Sequence, residues 1–402
     1  MNTPHRRTGP QTDAAARPQT RPERIALVLQ GGGALGSYQA GVYDALAGDG
    51  YLPDWVAGIS IGAINAALIA GNPPENRVAH LRRFWERITE TSAGWPMPGF
   101  EGAAVLARNA AAQAALLFGQ PGFFAPRRLP EWIGSQHPVS YYDTSALKTT
   151  LEQLVDFDRI NAASEPRLSV GAVNVRTGRF AWFDSKTTTI RAEHIMASGA
   201  LPPAFPAVEI DGEPYWDGGI VSNTPLDHVL DQVPRRSMLV FQVDVFQAYG
   251  KVPTTLEEVA EREKDIRFAS RTRQGTEIGA HRHEMRHAIN DLIALLPPEL
   301  AATPQARRLH RMGCEAQIDI AQLIFRPMVP QGYQKDYEFS RATMSQRWQA
   351  GLADARVTLD AAPWLAAKDS EVGVRVFDVG HDVLVAGRPE PPETAKAGLA
   401  TT

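Results

Sequence analysis

A short buried strand that turns into a helix at a serine is the feature that most constrains this 402-residue chain. Residues 55–58 are apolar, and residues 61–71 are small and mostly apolar, which is typical of a tightly packed helix. Ser60 lies at the junction, with Gly58 and Gly62 two residues to either side. Glycines there allow a sharp turn and keep the hydroxyl accessible. The pattern predicts either a nucleophile on a strand-to-helix turn or a turn whose small residues serve packing alone.

A glycine-rich loop precedes this strand. Residues 24–30 predict a buried parallel strand, and residues 31–36 (Gly-Gly-Gly-Ala-Leu-Gly) lead into a predicted helix. The loop also matches the dinucleotide-binding pattern, but that site requires an acidic residue at the end of the next strand, where this chain has Ser60. We therefore expect backbone N–H groups to converge on an oxyanion beside the serine. The expected donors are the N–H groups of Gly31, Gly32, Gly33 and Ile61.

An aspartate followed by two glycines is the third candidate. Asp217 ends an aromatic run, and the glycines after it would let its carboxylate project from a tight turn, although the same tripeptide is common in hairpins with a solvated aspartate. His194 and His228 are alternative bases, and the order Ser60, Asp217, His228 would suit a Ser-His-Asp triad. Only one strand is predicted before the strand that carries the serine, which favours a Ser–Asp dyad over an α/β-hydrolase.

These motifs, in this order, resemble the patatin-like phospholipase family. The resemblance covers roughly residues 24–245, including residues 197–206. Residues 31–36 resemble the oxyanion loop of the family, residues 58–62 its nucleophile elbow, and residues 217–219 its Asp-Gly-Gly motif. The motif glycines are Gly36, Gly58, Gly62, Gly218 and Gly219. The chain departs from many members at Leu35, where they have Arg or Lys, which weakens any inference that a cation assists the site.

The resemblance implies a three-layer α/β fold with a mostly parallel central sheet and a helical C-terminal region. It also implies a serine acyl-ester hydrolase that uses Ser60 as nucleophile and Asp217 as base, acts on acyl esters of lipids, and needs no metal or cofactor. The motifs are equally compatible with a soluble short-chain ester. The alternatives outside hydrolases are a dinucleotide-binding protein and a scaffold that has the fold without catalysis.

The chain is expected to contain a catalytic domain at residues 24–250 and a mainly helical extension at residues 251–386 that contributes at least one strand. Within the extension we predict helices at residues 256–296 and 303–322, a strand at residues 322–326 and a further helix from Ser340. Polar composition predicts disordered tails, and these are residues 1–23 and 387–402.

Two further segments lie outside the three motifs. Aromatics, prolines and glycines alternate in residues 92–142, which predicts a lid, a wall of an acyl-chain pocket or an irregular insertion. Residues 332–359 resemble a C-terminal extension of a bacterial subgroup of the family, without indicating what it does.

Net charge, cysteine count and apolar segments bear on the partners and the cellular location of the protein. A net charge of −4 gives no argument for nucleic-acid binding, and Cys314 is the single cysteine, so no intrachain disulfide forms. No apolar signal segment precedes Ile25, and the longest apolar run, residues 56–71, is shorter than the roughly 20 residues of a membrane span. We expect a cytoplasmic protein, with peripheral contact to a membrane left open; the oligomeric state is not specified.

A formal zinc motif occurs in the C-terminal region. Residues 283–287 (His-Glu-Met-Arg-His) match H-E-x-x-H, which on a helix places two histidines on one face. Arg282 and Arg286 place positive charge beside the supposed cation, and no third ligand is evident. We therefore expect no metal. The basic segment 262–286 predicts a solvated helix face, with contact to anionic lipid headgroups as the alternative.

Overall fold

A computed structural model describes residues 24–90, 101–133, 138–162, 166–367 and 372–380. For residues 101–106 and 270–273 it describes the backbone alone. Both tails expected from composition lie outside the described residues, as do residues 92–100 and 134–137 of the segment 92–142.

Eleven strands and thirteen α-helices occur in the described residues, joined by three short 3₁₀ helices at Gly33–Leu35, Gly218–Ile220 and Pro363–Leu365. The strands are β1 (Ile25–Leu29), β2 (Trp55–Gly58), β3 (Ala125–Pro126), β4 (Tyr142–Asp143), β5 (Arg167–Asn174), β6 (Phe180–Asp184), β7 (Val208–Ile210), β8 (Glu213–Asp217), β9 (Met238–Asp244), β10 (Ile318–Ile324) and β11 (Val374–Phe377). The helices are α1 (Gly36–Gly48), α2 (Ile61–Ala70), α3 (Pro74–Ile88), α4 (Glu101–Phe118), α5 (Leu129–Ile133), α6 (Ser145–Leu154), α7 (Phe157–Asn161), α8 (Ala192–Ser198), α9 (Leu226–Leu230), α10 (Leu256–Ala294), α11 (Pro298–Ala301), α12 (Pro304–His310) and α13 (Arg341–Ala361).

The central sheet has nine strands, in the order β11-β10-β9-β1-β2-β5-β8-β7, with β6 also paired to β5. The six strands from β11 to β5 run parallel, whereas β6 and β8 pair antiparallel with β5, and β7 with β8. The carboxyl ends of β1 and β2 therefore meet at one edge of the sheet. In open α/β sheets this is the edge where binding sites form.

Side chains on the two faces of the sheet enter two separate apolar clusters. Leu27 and Leu29 of β1 belong to a large cluster that includes residues of α1, α2, α3 and α13. Ala26 and Val28 belong to a smaller cluster with Leu226 and residues of the same helix, α9. Strands covered on both faces are apolar throughout rather than alternating, as β1 is. The expected three-layer α/β architecture is confirmed.

The C-terminal region is built onto the same sheet. β10 pairs with β9 along seven residues, and α13 packs against α1. The two helices approach closely because a glycine lies in each contact: a Cβ at Gly41 would overlap the Trp348 carbonyl, and one at Gly351 the Tyr38 carbonyl. The division of the chain at residue 250 stays a prediction, since strands from both sides of it form one sheet.

One sequence-based element boundary is wrong. The helix predicted at residues 303–322 ends at His310, and β10 begins at Ile318, ahead of the predicted strand at 322–326. Residues 318–324 are mostly apolar and largely buried on both faces, and such a stretch does not distinguish a strand from a buried helix by its periodicity. None of the described helices combines the length and apolarity needed to cross a bilayer.

Candidate active site

Ser60 occupies a strained turn between β2 and α2. Its backbone angles are φ 57° and ψ −124°, a region that residues other than glycine rarely adopt. The turn needs small neighbours, because a Cβ at Gly58 would overlap the Gly62 backbone, and one at Gly62 the Leu29 carbonyl. The Ser60 N–H donates to Ser198 Oγ at 3.0 Å. Surrounding structure thus holds the serine in a conformation that its own backbone disfavours.

The sheet register places Asp217 level with Ser60. Gly58 at the end of β2 pairs with Val170 of β5, and Asp217 at the end of β8 pairs with Ala172, two residues farther along β5. The carboxyl group is 3 % exposed and accepts a hydrogen bond from the Gly219 N–H at 2.7 Å. The Ser60 side chain lies close enough to this carboxyl group to lower its pKa. The two predicted residues are therefore neighbours in the structure.

Burial dominates the electrostatics of Asp217. Desolvation raises the pKa of its carboxyl group to about 7, against the opposing effects of the nearby Ser60 side chain and of the hydrogen bond from the Gly219 N–H. A carboxyl group with a pKa near neutrality holds comparable amounts of the protonated and ionised forms at pH 7. It can therefore both accept and return a proton, which is the property required of a general acid–base catalyst.

The glycine loop lies directly against the serine. A Cβ on Gly31 would overlap Asn223 Oδ1 and would come within 3.1 Å of Ser60 Cβ, so a larger residue would displace these neighbours. Within the described residues, the N–H groups of Gly32, Gly33 and Ile61 donate to no protein acceptor. Ile61 begins α2, where the first N–H groups of a helix have no partner inside it. These three N–H groups remain candidates for the oxyanion donors.

The structure contradicts the expectation for Gly31. Its N–H donates to the Asn223 carbonyl at 3.0 Å, and its own carbonyl accepts from Asn223 Nδ2 at 2.9 Å. This pair of hydrogen bonds fixes the start of the loop and removes Gly31 from the set of oxyanion donors. Asn223 follows the Asp-Gly-Gly turn by a few residues, and no local pattern predicted its return to the loop.

The two histidines considered as bases lie elsewhere. His228 stacks on Trp182, with ring centroids 4.1 Å apart, and its Nε2 is 3.4 Å from Asp184 Oδ2. It also packs on Trp55 at the beginning of β2, roughly 15 Å along the strand from Ser60 at about 3.3 Å per residue. His194 Nδ1 accepts the Arg191 N–H at 2.9 Å at the start of α8. Neither histidine reaches the serine.

The formal zinc motif on α10 has other contacts. His283 Nε2 lies 2.7 Å from the Ala316 carbonyl, and Glu284 accepts the Val374 N–H at 2.7 Å, which ties α10 to β11. Arg282 and Arg286 both pair with Asp231, joining α10 to the end of α9. Across the described part of the chain, no three His, Cys, Asp or Glu side chains are grouped in a way that could hold a metal ion.

The described parts of residues 92–142 form α4, α5 and the small β3–β4 sheet. Phe123 and Phe124 are buried and pack against Phe205, which follows α8 by a few residues, and against Phe339 of the C-terminal region. The segment is thus anchored through Phe123 and Phe124, whereas α5 buries none of its residues. Its role as a lid stays a prediction.

Sequence comparison assigns the family. A model described as patatin-like phospholipase matches residues 27–230, and one described as patatin phospholipase matches residues 266–371. No curated protein matches. Among solved structures, VipD from Legionella pneumophila is 15% identical (84% of this chain, 67% of that chain, TM-score 0.37). The ExoU–SpcU complex of the Pseudomonas aeruginosa type III secretion system is 19% identical (88% and 65%, TM-score 0.28). The first family match spans more than half of the sequence, and the chain therefore belongs to the patatin-like phospholipase family.

Proposed function

We propose that the protein is a serine acyl-ester hydrolase with Ser60 as nucleophile and Asp217 as its base. Family membership supports lipid hydrolysis at the level of the family. The observation that supports the residue assignment best is the contact between a serine in a strained turn and a buried carboxyl group whose pKa is about 7. An exposed aspartate would keep a pKa near 3.9 and would be a weak base.

In the proposed reaction, Ser60 Oγ attacks the ester carbonyl carbon and its proton passes to Asp217. The carbonyl oxygen becomes an oxyanion, which accepts hydrogen bonds from the N–H groups of Gly32, Gly33 and Ile61. Collapse of this intermediate breaks the bond to the alcohol, which leaves with the proton from the aspartate. Water then attacks the acyl-serine with the same carboxylate as base, and the acid is released as Ser60 is restored.

The dinucleotide-binding alternative is disfavoured by the contacts of the glycine loop. The Ala34 N–H, which would face a pyrophosphate at the start of α1, donates instead to the Asp336 carbonyl at 2.7 Å. That carbonyl oxygen also covers the Cα of Gly33. An acceptor oxygen at this position would repel a phosphate group.

We expect the purified protein to hydrolyse a p-nitrophenyl ester, and we expect EDTA to leave the rate unchanged, because no step of the proposed reaction uses a metal. The measurement is p-nitrophenol release with and without prior chelation, together with the metal content of the protein. Absence of turnover by folded protein would contradict the proposed activity. Stoichiometric zinc that is lost together with turnover would contradict the dyad mechanism.

We propose a lipid surface as the place where the substrate is met, in preference to a soluble ester. Leu201, Ile220 and Val221 are exposed by 45%, 38% and 46% and lie on the two segments next to Asp217. Leu201 follows Ala200, whose carbonyl accepts the Asp217 N–H, and the other two follow Gly219. Exposed apolar side chains next to the proposed base are suited to contact with the acyl region of a bilayer.

Leu201→Asn is expected to lower hydrolysis of phospholipid vesicles about fivefold, because the exposed half of a leucine contributes about 1 kcal/mol when it enters an apolar phase. Hydrolysis of a soluble short-chain ester should stay within about twofold. Leu309→Asn is the matched control, since Leu309 is 43% exposed on α12, before the amino end of β10 and so at the opposite edge of the sheet. Equal losses on both substrates, or equal losses in the control, would contradict docking at Leu201.

A further inference from the structure

A segment between β10 and α13 presses on the glycine loop. We call residues 331–340 the strap. The Asp336 carbonyl of the strap accepts the Ala34 N–H at 2.7 Å, and its oxygen lies where a Cβ on Gly33 would be. Gly33 has φ +55°, a left-handed conformation that favours glycine. The strap therefore contacts the loop at Gly33, one of the proposed oxyanion donors, and at Ala34, the residue after it.

Buried cations hold the strap in place. Lys264 of α10 is 7% exposed, and its Nζ donates to the Tyr333 carbonyl and to Asp336 Oδ1, both at 2.7 Å. Lys335 of the strap donates to Asp265 Oδ1 at 2.5 Å. Arg347 of α13 donates to two strap carbonyls, those of Lys335 at 3.0 Å and Glu338 at 3.2 Å. Hydrogen bonds from charged donors are shorter and stronger than neutral ones, and a buried cation costs stability without them.

Lys264 differs from the other two cations in what it binds. It alone among the three donates to Asp336, the residue whose carbonyl meets the loop, and it closes the turn between Tyr333 and Asp336. Its ammonium also lies 3.9 Å from the centroid of the Tyr333 ring. Removal of Lys264 would release the side chain of Asp336 while the remaining anchors of the strap stay in place.

We propose that Lys264 is a positioning residue for the oxyanion hole. It fixes Asp336, the Asp336 carbonyl fixes the Ala34 N–H, and this contact sets the direction of the N–H groups of Gly32 and Gly33. Lys264 touches no reacting atom. The inference rests on the proposed function, because the loop amides matter for rate only if an oxyanion forms beside Ser60.

The expected effect is on kcat. Loss of one oxyanion donor costs about 10²- to 10³-fold in kcat, and a displacement of about 1 Å can cost about 10²-fold. Lys264→Met keeps the apolar stem and removes the donor. We expect kcat on a soluble ester to fall about 10- to 100-fold with KM within about threefold, since the oxyanion contact is made in the transition state and not in the bound ester. The pH at which the rate falls should not move, because Asp217 is untouched.

Arg77→Met is the matched control. Arg77 is a similarly buried cation, and it donates to the Asn72 carbonyl at 3.0 Å beyond the far end of α2. Arg77→Met should be destabilised comparably with little change in kcat.

If Lys264→Met does not fold, Asp336→Ala provides the test. This substitution keeps the backbone carbonyl of residue 336 and removes one partner of Lys264, so we expect kcat to fall about 3- to 10-fold. Folded variants of Lys264 or Asp336 with wild-type kcat, or a loss no larger than that of Arg77→Met, would overturn the inference. The wild-type protein must hydrolyse the ester, and Ser60→Ala must abolish this turnover. If either observation fails, both the proposed function and this inference are overturned.

Discussion

Asp217→Asn is expected to reduce kcat/KM by at least about 10³-fold while the protein remains folded. General-base catalysis contributes about 10²- to 10⁴-fold, and an amide cannot take the proton of Ser60. Asparagine has nearly the same shape, and its carbonyl oxygen can still accept the Gly219 N–H that Asp217 accepts at 2.7 Å. The measurement is steady-state hydrolysis of a soluble ester, with the melting temperature of each variant as the check on folding.

His228→Ala is the control for this substitution. His228 stacks on Trp182 and contacts Asp184, away from the serine, so we expect turnover within about threefold of wild type. A folded His228→Ala protein as inactive as Asp217→Asn would contradict the dyad and favour a triad, because residues that act as one unit fail together.

The pH dependence of the rate is a second test of Asp217 as the base. The base must be ionised, so kcat/KM is expected to fall as the pH drops below about 7, the pKa of the Asp217 carboxyl group. An exposed carboxylate base would lose activity only in acid, whereas burial raises the pKa of the Asp217 carboxyl group and moves the expected fall into the histidine range. The profile does not separate a carboxylate from an imidazole here. If the same pH profile is found in His228→Ala, the titrating group is not His228 and a carboxylate base is supported.

The same pKa has a consequence for stability. The folded-state value, about 7, lies above the ordinary 3.8, so the folded protein binds the proton more tightly than the unfolded chain does. This contribution to stability is complete below about pH 3.8 and is lost as the pH rises through about 7. The melting temperature of Asp217→Asn should therefore rise relative to wild type between pH 5 and pH 8, and an unchanged difference would contradict the raised pKa.

Ser60→Ala is expected to lower kcat by at least about 10⁴-fold, the second large effect. Loss of the nucleophile in a serine hydrolase removes most of the acceleration, and a residual rate remains from binding and the oxyanion donors. Alanine removes the hydroxyl and no apolar packing, so the change in melting temperature should be small. Turnover above about 1% of wild type in freshly purified protein would place the nucleophile at another residue.

Local stereochemistry explains why the elbow could be predicted. Gly58 and Gly62 are required by clashes within a few residues of Ser60, and such requirements are visible in a short stretch of sequence. The fold class could be predicted for a related reason, since β1 and β2 are short apolar runs joined through small residues to helices. The family resemblance added the order of the three motifs.

Contacts between distant parts of the chain explain what could not be predicted. The pairing of β8 with β5 brings Asp217 beside Ser60, and no spacing in the sequence encodes that register. The Gly31 amide was assigned wrongly because Asn223 returns to bind it. The contact between Ala34 and Asp336 joins residues some three hundred positions apart. Desolvation of Asp217 likewise depends on packing between distant segments. The raised pKa of its carboxyl group therefore could not be predicted from the sequence.

Covalent labelling with a fluorophosphonate, followed by peptide mapping, tests the central claim most directly. The probe reacts with an activated serine hydroxyl, releases fluoride, and places a polar phosphoryl oxygen where the ester oxyanion would form. The account predicts one label per chain, on Ser60, slower labelling in Asp217→Asn and none in Ser60→Ala. Labelling of a different serine, or an active wild-type protein that remains unlabelled, would contradict it.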